Sequence, residues 1–182
     1  ERGASINQLI DKIVAEYSFQ NPSASVKSLV ELYKAIEKIN DGDPIAIGWK
    51  IKKLNEVKSL IETCAGLFLE AVSTEQYAVQ GDSLHINITA LNRSYVKAEP
   101  LSVFLDDKQD ALVKTGITLA KDISFRDRIN LFVSPTQPVS QPYWLTNTNP
   151  KGSFTVNDQL QIGKPENDAA FNVTFVISVE GE

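Results

Sequence analysis

The hydrophobic period of this chain changes near Ser73, and that change constrains its fold more than any single motif. Up to Val72 the apolar residues recur every three to four positions. From Leu84 onward they recur every second position, as in Leu84-His85-Ile86-Asn87-Ile88 and Phe171-Asn172-Val173-Thr174-Phe175. A period near 3.6 fits one face of a helix, and a period of 2 fits one face of a sheet. The pattern predicts a segregated α+β chain: a helical unit over residues 1–73, then an antiparallel β unit over residues 74–182.

Three helices are expected in the first unit. The first spans about residues 5–19, with Ile6, Leu9, Ile10, Ile13, Val14 and Tyr17 as its apolar stripe, and stops at Asn21-Pro22. Ser23-Ala24-Ser25 supplies a hydroxyl N-cap for a second, which buries Val26, Leu29, Val30, Tyr33 and Ile36, with Ile39 extending that face. After the turn cluster Asn40-Asp41-Gly42-Asp43-Pro44, a third runs from residue 44 or 45 to residue 72. Its stripe is Ile47, Ile51, Leu54, Val57, Ile61, Cys64 and Phe68, widened by Leu60, Leu67 and Ala71. Cys64 on that stripe reads as a buried, inert thiol. Trp49 reads as a core or inter-domain anchor in preference to a docking aromatic, and Lys50, Lys52, Lys53, Glu56 and Lys58 as a solvated face.

Six strands are expected in the second unit, over residues 75–79, 83–91, 101–105, 116–120, 129–133 and 171–179. Short alternating strands separated by turn signals indicate an antiparallel β-sandwich of immunoglobulin-like architecture. The Cys…Trp…Cys pattern of true immunoglobulin domains is absent. The segment 134–165 departs from the rest in carrying five prolines, Pro135, Pro138, Pro142, Pro150 and Pro165. Within it, Tyr143 and Trp144 have two readings. They are candidate glycan contacts, because aromatic faces suit the apolar faces of pyranose rings, or they cover the open end of the sandwich.

The formal charge of −5 divides into −1 through Val72 and −4 beyond it. Neither half has the basic surface that phosphate neutralisation needs, so nucleic acid is not an expected partner. No apolar run approaches the roughly 20 residues that span a bilayer. The chain starts Glu1-Arg2-Gly3-Ala4 and has no methionine, so a processed or excised piece of a larger protein is expected. The ending Glu180-Gly181-Glu182, just after a strand, points the same way.

No catalytic constellation is legible. His85 is the only histidine, and the alternation of its strand turns it away from Leu84, Ile86 and Ile88 toward solvent. No Gly-x-Ser-x-Gly elbow accompanies it. One histidine and one cysteine in different units do not supply a zinc site, so no metal or cofactor is expected in this segment. Asp106, Asp107 and Asp110 have the chemistry to bind calcium but lack the glycine and terminal glutamate of an EF-hand loop, which favours a solvated turn. Asn87-Ile88-Thr89, Asn92-Arg93-Ser94 and Asn172-Val173-Thr174 match the glycosylation sequon, which has meaning only in a eukaryotic source.

Several segments together resemble the region downstream of the catalytic domain in large bacterial PIG-L (LmbE-like) deacetylases, notably those of Bacteroidetes. They are Gly3-Ala4-Ser5-Ile6, Phe19-Gln20-Asn21-Pro22-Ser23-Ala24-Ser25-Val26 and Ala65-Gly66-Leu67-Phe68-Leu69-Glu70-Ala71. Further along come Ala90-Leu91-Asn92-Arg93-Ser94, Pro142-Tyr143-Trp144-Leu145 and Ile162-Gly163-Lys164-Pro165-Glu166. The resemblance covers essentially the whole chain in order. PIG-L enzymes hold zinc through a His-Pro-Asp-Asp type motif and a later histidine, and an aspartate activates the metal-bound water. Here Asp106-Asp107 follows Phe104-Leu105 with no His-Pro before it, so none of those roles carries over to a position of this chain.

The resemblance therefore implies a non-catalytic accessory region. Its partners would be the preceding catalytic domain of the same chain and a glycan, and zinc is expected only in that catalytic domain. The parent would deacetylate an N-acetylglucosamine-type sugar in the periplasm or outside the cell. The contrasting expectation is an independent carbohydrate-binding or cell-surface interaction module, with Tyr143 and Trp144 as its contacts.

Overall fold

The computed structural model describes residues 2–40, 42–105, 113–114, 116 and 118–181. Three helices come first: α1 (Arg2–Glu16), α2 (Val26–Glu37) and α3 (Pro44–Ala65). Six strands follow: β1 (Leu67–Ser73), β2 (Ser83–Asn92), β3 (Ala98–Leu105), β4 (Val113–Lys114), β5 (Phe125–Phe132) and β6 (Val173–Val179). The strands form two three-stranded antiparallel sheets, ordered β1-β2-β5 and β4-β3-β6. This is the expected α+β order of helices, then antiparallel sheets.

The helix-to-strand change falls at Gly66, before Ser73. Gly66 adopts the left-handed conformation (φ 67°, ψ 32°) and closes α3 by donating to the Glu62 and Thr63 carbonyls. The expected helix to residue 72 is thus cut short. Leu67-Phe68-Leu69-Glu70-Ala71-Val72 satisfies both periods, and a short apolar run does not distinguish them. Pairing with β2, from Leu67↔Asn92 to Ser73↔Ile86, settles the run as a strand.

Two further helix ends differ from expectation. The chain enters α2 through a 3-10 turn (Pro22–Ser25), and Ser25 is already helical, buried, and makes no side-chain cap. At α3 the N-cap is Asp43, whose carboxylate accepts from the Ile45 N–H at 3.0 Å. Lys50 is not simply solvated. Its ammonium reaches across to the end of α2 and donates to the Glu37 and Ile39 carbonyls at 2.6 and 2.7 Å, supplying cationic donors where a helix exposes unpaired carbonyls.

The helices and sheets share their packing. One cluster joins Leu32 and Ile36 of α2 to Val57 of α3, with Ile6, Leu9 and Ile13 of α1 against it. A larger cluster takes Val26 and Val30 of α2 and Ala65 of α3 into the same core as both sheets. Central strand β2 contributes Leu84, Ile86, Ile88 and Ala90, and β3 contributes Ala98, Leu101, Val103 and Leu105. The alternation read in the sequence is thus the alternation of core and surface. Cys64 is half-buried beside this core, not fully buried, and burial pushes its thiol pKa upward. Trp49 does not serve as a core anchor within this chain. It is 56% exposed, with the Lys52 ammonium 5.1 Å from its ring centroid.

Two expected strands do not form among the described residues. At 75–79, pairing with β2 stops because the Glu75 side chain occupies the next β2 N–H, and Tyr77 and Val79 are exposed. At 116–120, Leu119 is buried, but its N–H bonds to the Ala98 carbonyl and its carbonyl accepts from the Asn92 side chain. A side-chain amide there replaces a strand ladder. The Asp106, Asp107 and Asp110 turn lies outside the described residues.

Candidate functional site: an aromatic groove in the long connection

The connection from β5 to β6 is a long Pro/Gly-rich segment with no strand and two short 3-10 turns, Tyr143–Leu145 and Gln159–Gln161. Long ordered connections of this kind are where binding surfaces concentrate. Pro142 opens the first turn, and its carbonyl accepts from the Leu145 N–H at 2.8 Å. Asparagine side chains then hold the segment together. Asn167 accepts from the Tyr143 N–H at 2.9 Å and donates to the Gln141 carbonyl. Asn149 donates to the Trp144 carbonyl at 3.1 Å and accepts from the Thr155 N–H at 3.1 Å. Asn147 donates to the Thr155 carbonyl at 2.9 Å. The Tyr143 hydroxyl donates to the Lys164 carbonyl at 3.2 Å.

Tyr143 and Trp144 are both half-buried and meet edge to face, centroids 4.8 Å apart and planes at 88°. Beside them lies an open groove of about 520 Å³ lined by Tyr143, Trp144, Phe154, Val156 and Ile162. Phe154 and Ile162 are 62% and 63% exposed, so the floor is apolar and accessible. No lining residue is charged, and the nearby Lys164–Asp168 pair, at 3.0 Å, satisfies itself. Such a surface offers stacking and apolar contact, with the Tyr143 hydroxyl donating to the Lys164 carbonyl. The two residues singled out from sequence are together here. Phe154, Val156 and Ile162 were missed because they fall in no periodic pattern; the only signal was apolar residues in a segment otherwise rich in turn formers.

His85 is half-exposed, as the alternation predicts. Its ring Nδ1 lies 2.6 Å from the Glu75 carboxylate, which also accepts from its backbone N–H at 3.0 Å. That backbone bond, then the ring bond, hold the Glu75 pKa down at about 2 despite some desolvation. A second depression of about 270 Å³ is lined by Lys97, Glu99, Gly116, Ser178 and Gly181, with Lys97 and Glu99 paired at 2.6 Å.

Asn92 of the central sequon is 1% exposed. Both of its amide hydrogens are used, on the Val96 carbonyl at 2.8 Å and the Leu119 carbonyl at 3.0 Å. It is a structural hub in the folded chain, with no accessible nitrogen for a glycan. Among the described residues, no group of three or more His, Cys, Asp or Glu is placed to hold a metal ion, and no helix is long and apolar enough to cross a membrane.

No family model matches the chain, and no match to it was found among curated proteins or solved structures.

Proposed function

We propose that this chain is a non-catalytic accessory region of a larger PIG-L/LmbE-like zinc-dependent deacetylase. Its helices brace the preceding catalytic domain, and its two sheets, as an immunoglobulin-like sandwich, help position the glycan. One observation carries the bracing role. The start of α3, Pro44-Ile45-Ala46-Ile47-Gly48-Trp49-Lys50-Ile51, is apolar on nearly every side, yet Ile45, Trp49 and Ile51 are exposed. A helix apolar all round belongs in an interior. Ile10 and Val14 of α1, with Tyr17 just beyond it, add a second uncovered stripe.

In this reading zinc and its activating aspartate sit in the catalytic domain, since no residue here matches their motif. The parent removes the acetyl group of an N-acetylglucosamine-type sugar, in the periplasm or outside the cell. Comparing the parent enzyme with and without residues 1–182 tests the proposal. Loss of catalytic-domain stability on deletion supports it, and unchanged stability, substrate range and activity would reject it.

The aromatic groove favours a second reading, an independent carbohydrate-binding or cell-surface module in which Tyr143 and Trp144 meet the sugar. Titration with N-acetylated oligosaccharides distinguishes it. Saturable binding that Trp144→Ala abolishes supports this module; no binding, or binding indifferent to that change, rejects it.

A further inference from the structure

Strand β6 reads Val173-Thr174-Phe175-Val176-Ile177-Ser178-Val179 and contains no charged residue and no proline. It is the outer strand of its sheet, paired only with β3. Among the described residues, no backbone group of β6 bonds to any segment beyond β3. Both outer strands of the other sheet are defended by charge: Glu70 in β1, and Arg126, Asp127 and Arg128 in β5. Free edges of natural sheets are normally blunted in this way, and an undefended one is a template for strand pairing.

The sequence of β6 also matches itself. Turned about Val176, the strand sets Phe175 opposite Ile177, Thr174 opposite Ser178 and Val173 opposite Val179. Each match keeps its face. Thr174 and Val176 are exposed, whereas Phe175 and Ile177 pack toward the core, so outer residues meet outer ones and inner meet inner. An aromatic beside a β-branched side chain and Thr beside Ser are both favourable cross-strand neighbours. A two-fold axis requires such self-complementarity.

We propose that two copies of this chain associate through β6, antiparallel about Val176, joining their β4-β3-β6 sheets into one six-stranded sheet. The proposal is independent of the accessory reading above. It closes after two copies, because a two-fold pairing uses the same β6 edge of each chain. Val176 is 51% exposed and points away from the core, so a charge there leaves the monomer fold intact.

Sedimentation equilibrium of the full chain over a wide concentration range tests it. A monomer–dimer equilibrium is expected, and Val176→Lys, which sets two ammonium groups together on the axis, weakens it at least about tenfold. Val176→Glu alone has the same effect. Mixing the Lys and Glu variants restores dimers with one copy of each, because residue 176 faces itself only in this register. Far-UV circular dichroism confirms that both variants stay folded. A wild-type chain that remains monomeric, a dimer indifferent to both charges, open-ended aggregation, or a mixture that fails to pair would each overturn the proposal.

Discussion

Glu75 grips His85 by two of its hydrogen-bonding groups, one carboxylate oxygen on the backbone N–H and the other on ring Nδ1. The grip stands where β1 would otherwise have supplied a backbone partner. β1–β2 pairing ends at Ser73↔Ile86, and the Thr74 N–H still bonds the His85 carbonyl at 3.0 Å. A side chain thus finishes a ladder that the main chain leaves incomplete.

The grip makes a pH prediction. The Glu75 pKa is lowered from 4.5 to about 2, so the unfolded state binds its proton more readily. Its stabilising contribution is complete above the unfolded value and is lost as pH falls through the folded one. Unfolding curves of the chain and of Glu75→Gln should converge between those two values, and a carboxylate titration by NMR should place the Glu75 midpoint near 2. A midpoint near 4.5 would mean that the grip is absent in solution.

Asn92 is predicted to be among the most sensitive polar positions. Replacing it by alanine strands the carbonyls of buried Val96 and Leu119 without their donor and the half-buried Ser94 N–H without its acceptor. The expected loss is about 2–4 kcal/mol in urea unfolding. Asn92→Asp should be no milder, since it turns a donor into a second acceptor against two carbonyls.

Gly66→Ala should cost about 1–2 kcal/mol by the same measurement, because an L side chain resists the left-handed region. The added Cβ would also stand 3.2 Å from the Arg93 Cβ. A neutral result would show that α3 and β1 are joined by some other backbone path.

Trp49 and Ile88 should respond oppositely to truncation. Ile88 lies fully buried in β2, and Ile88→Ala should destabilise by about 2–5 kcal/mol. Trp49→Ala, at an exposed site, should stay within about 0.5 kcal/mol in the isolated chain. Inside the parent enzyme, the accessory reading expects the same Trp49→Ala change to weaken the catalytic domain's thermal stability.

What could be read from sequence follows from where one physical signal outweighs another. Leu84, Ile86 and Ile88 revealed β2 because a strand buried on one face leaves a strict alternation. Leu67 to Val72 hid a strand because an apolar run beside a helix satisfies both periods, and only Gly66 marked the stop. Thr118 and Leu119 looked like a strand, but the Asn92 amide, distant in sequence, takes the backbone bond that a neighbour strand would have made. The groove was half legible. Tyr143 and Trp144 stood out as an aromatic pair, whereas Phe154 and Ile162 reach it only through turns that asparagine side chains shape.

A single residue, Gly66, separates the last turn of α3 from the first paired residue of β1, and its carbonyl is itself fastened by the Arg93 N–H at 3.0 Å. With Val26, Val30 and Ala65 sunk in the sheet core, the joint has no slack. Helices and sheets must therefore swing as one lever. In the accessory reading, a catalytic domain seated on Trp49 would set the heading of the strands that follow.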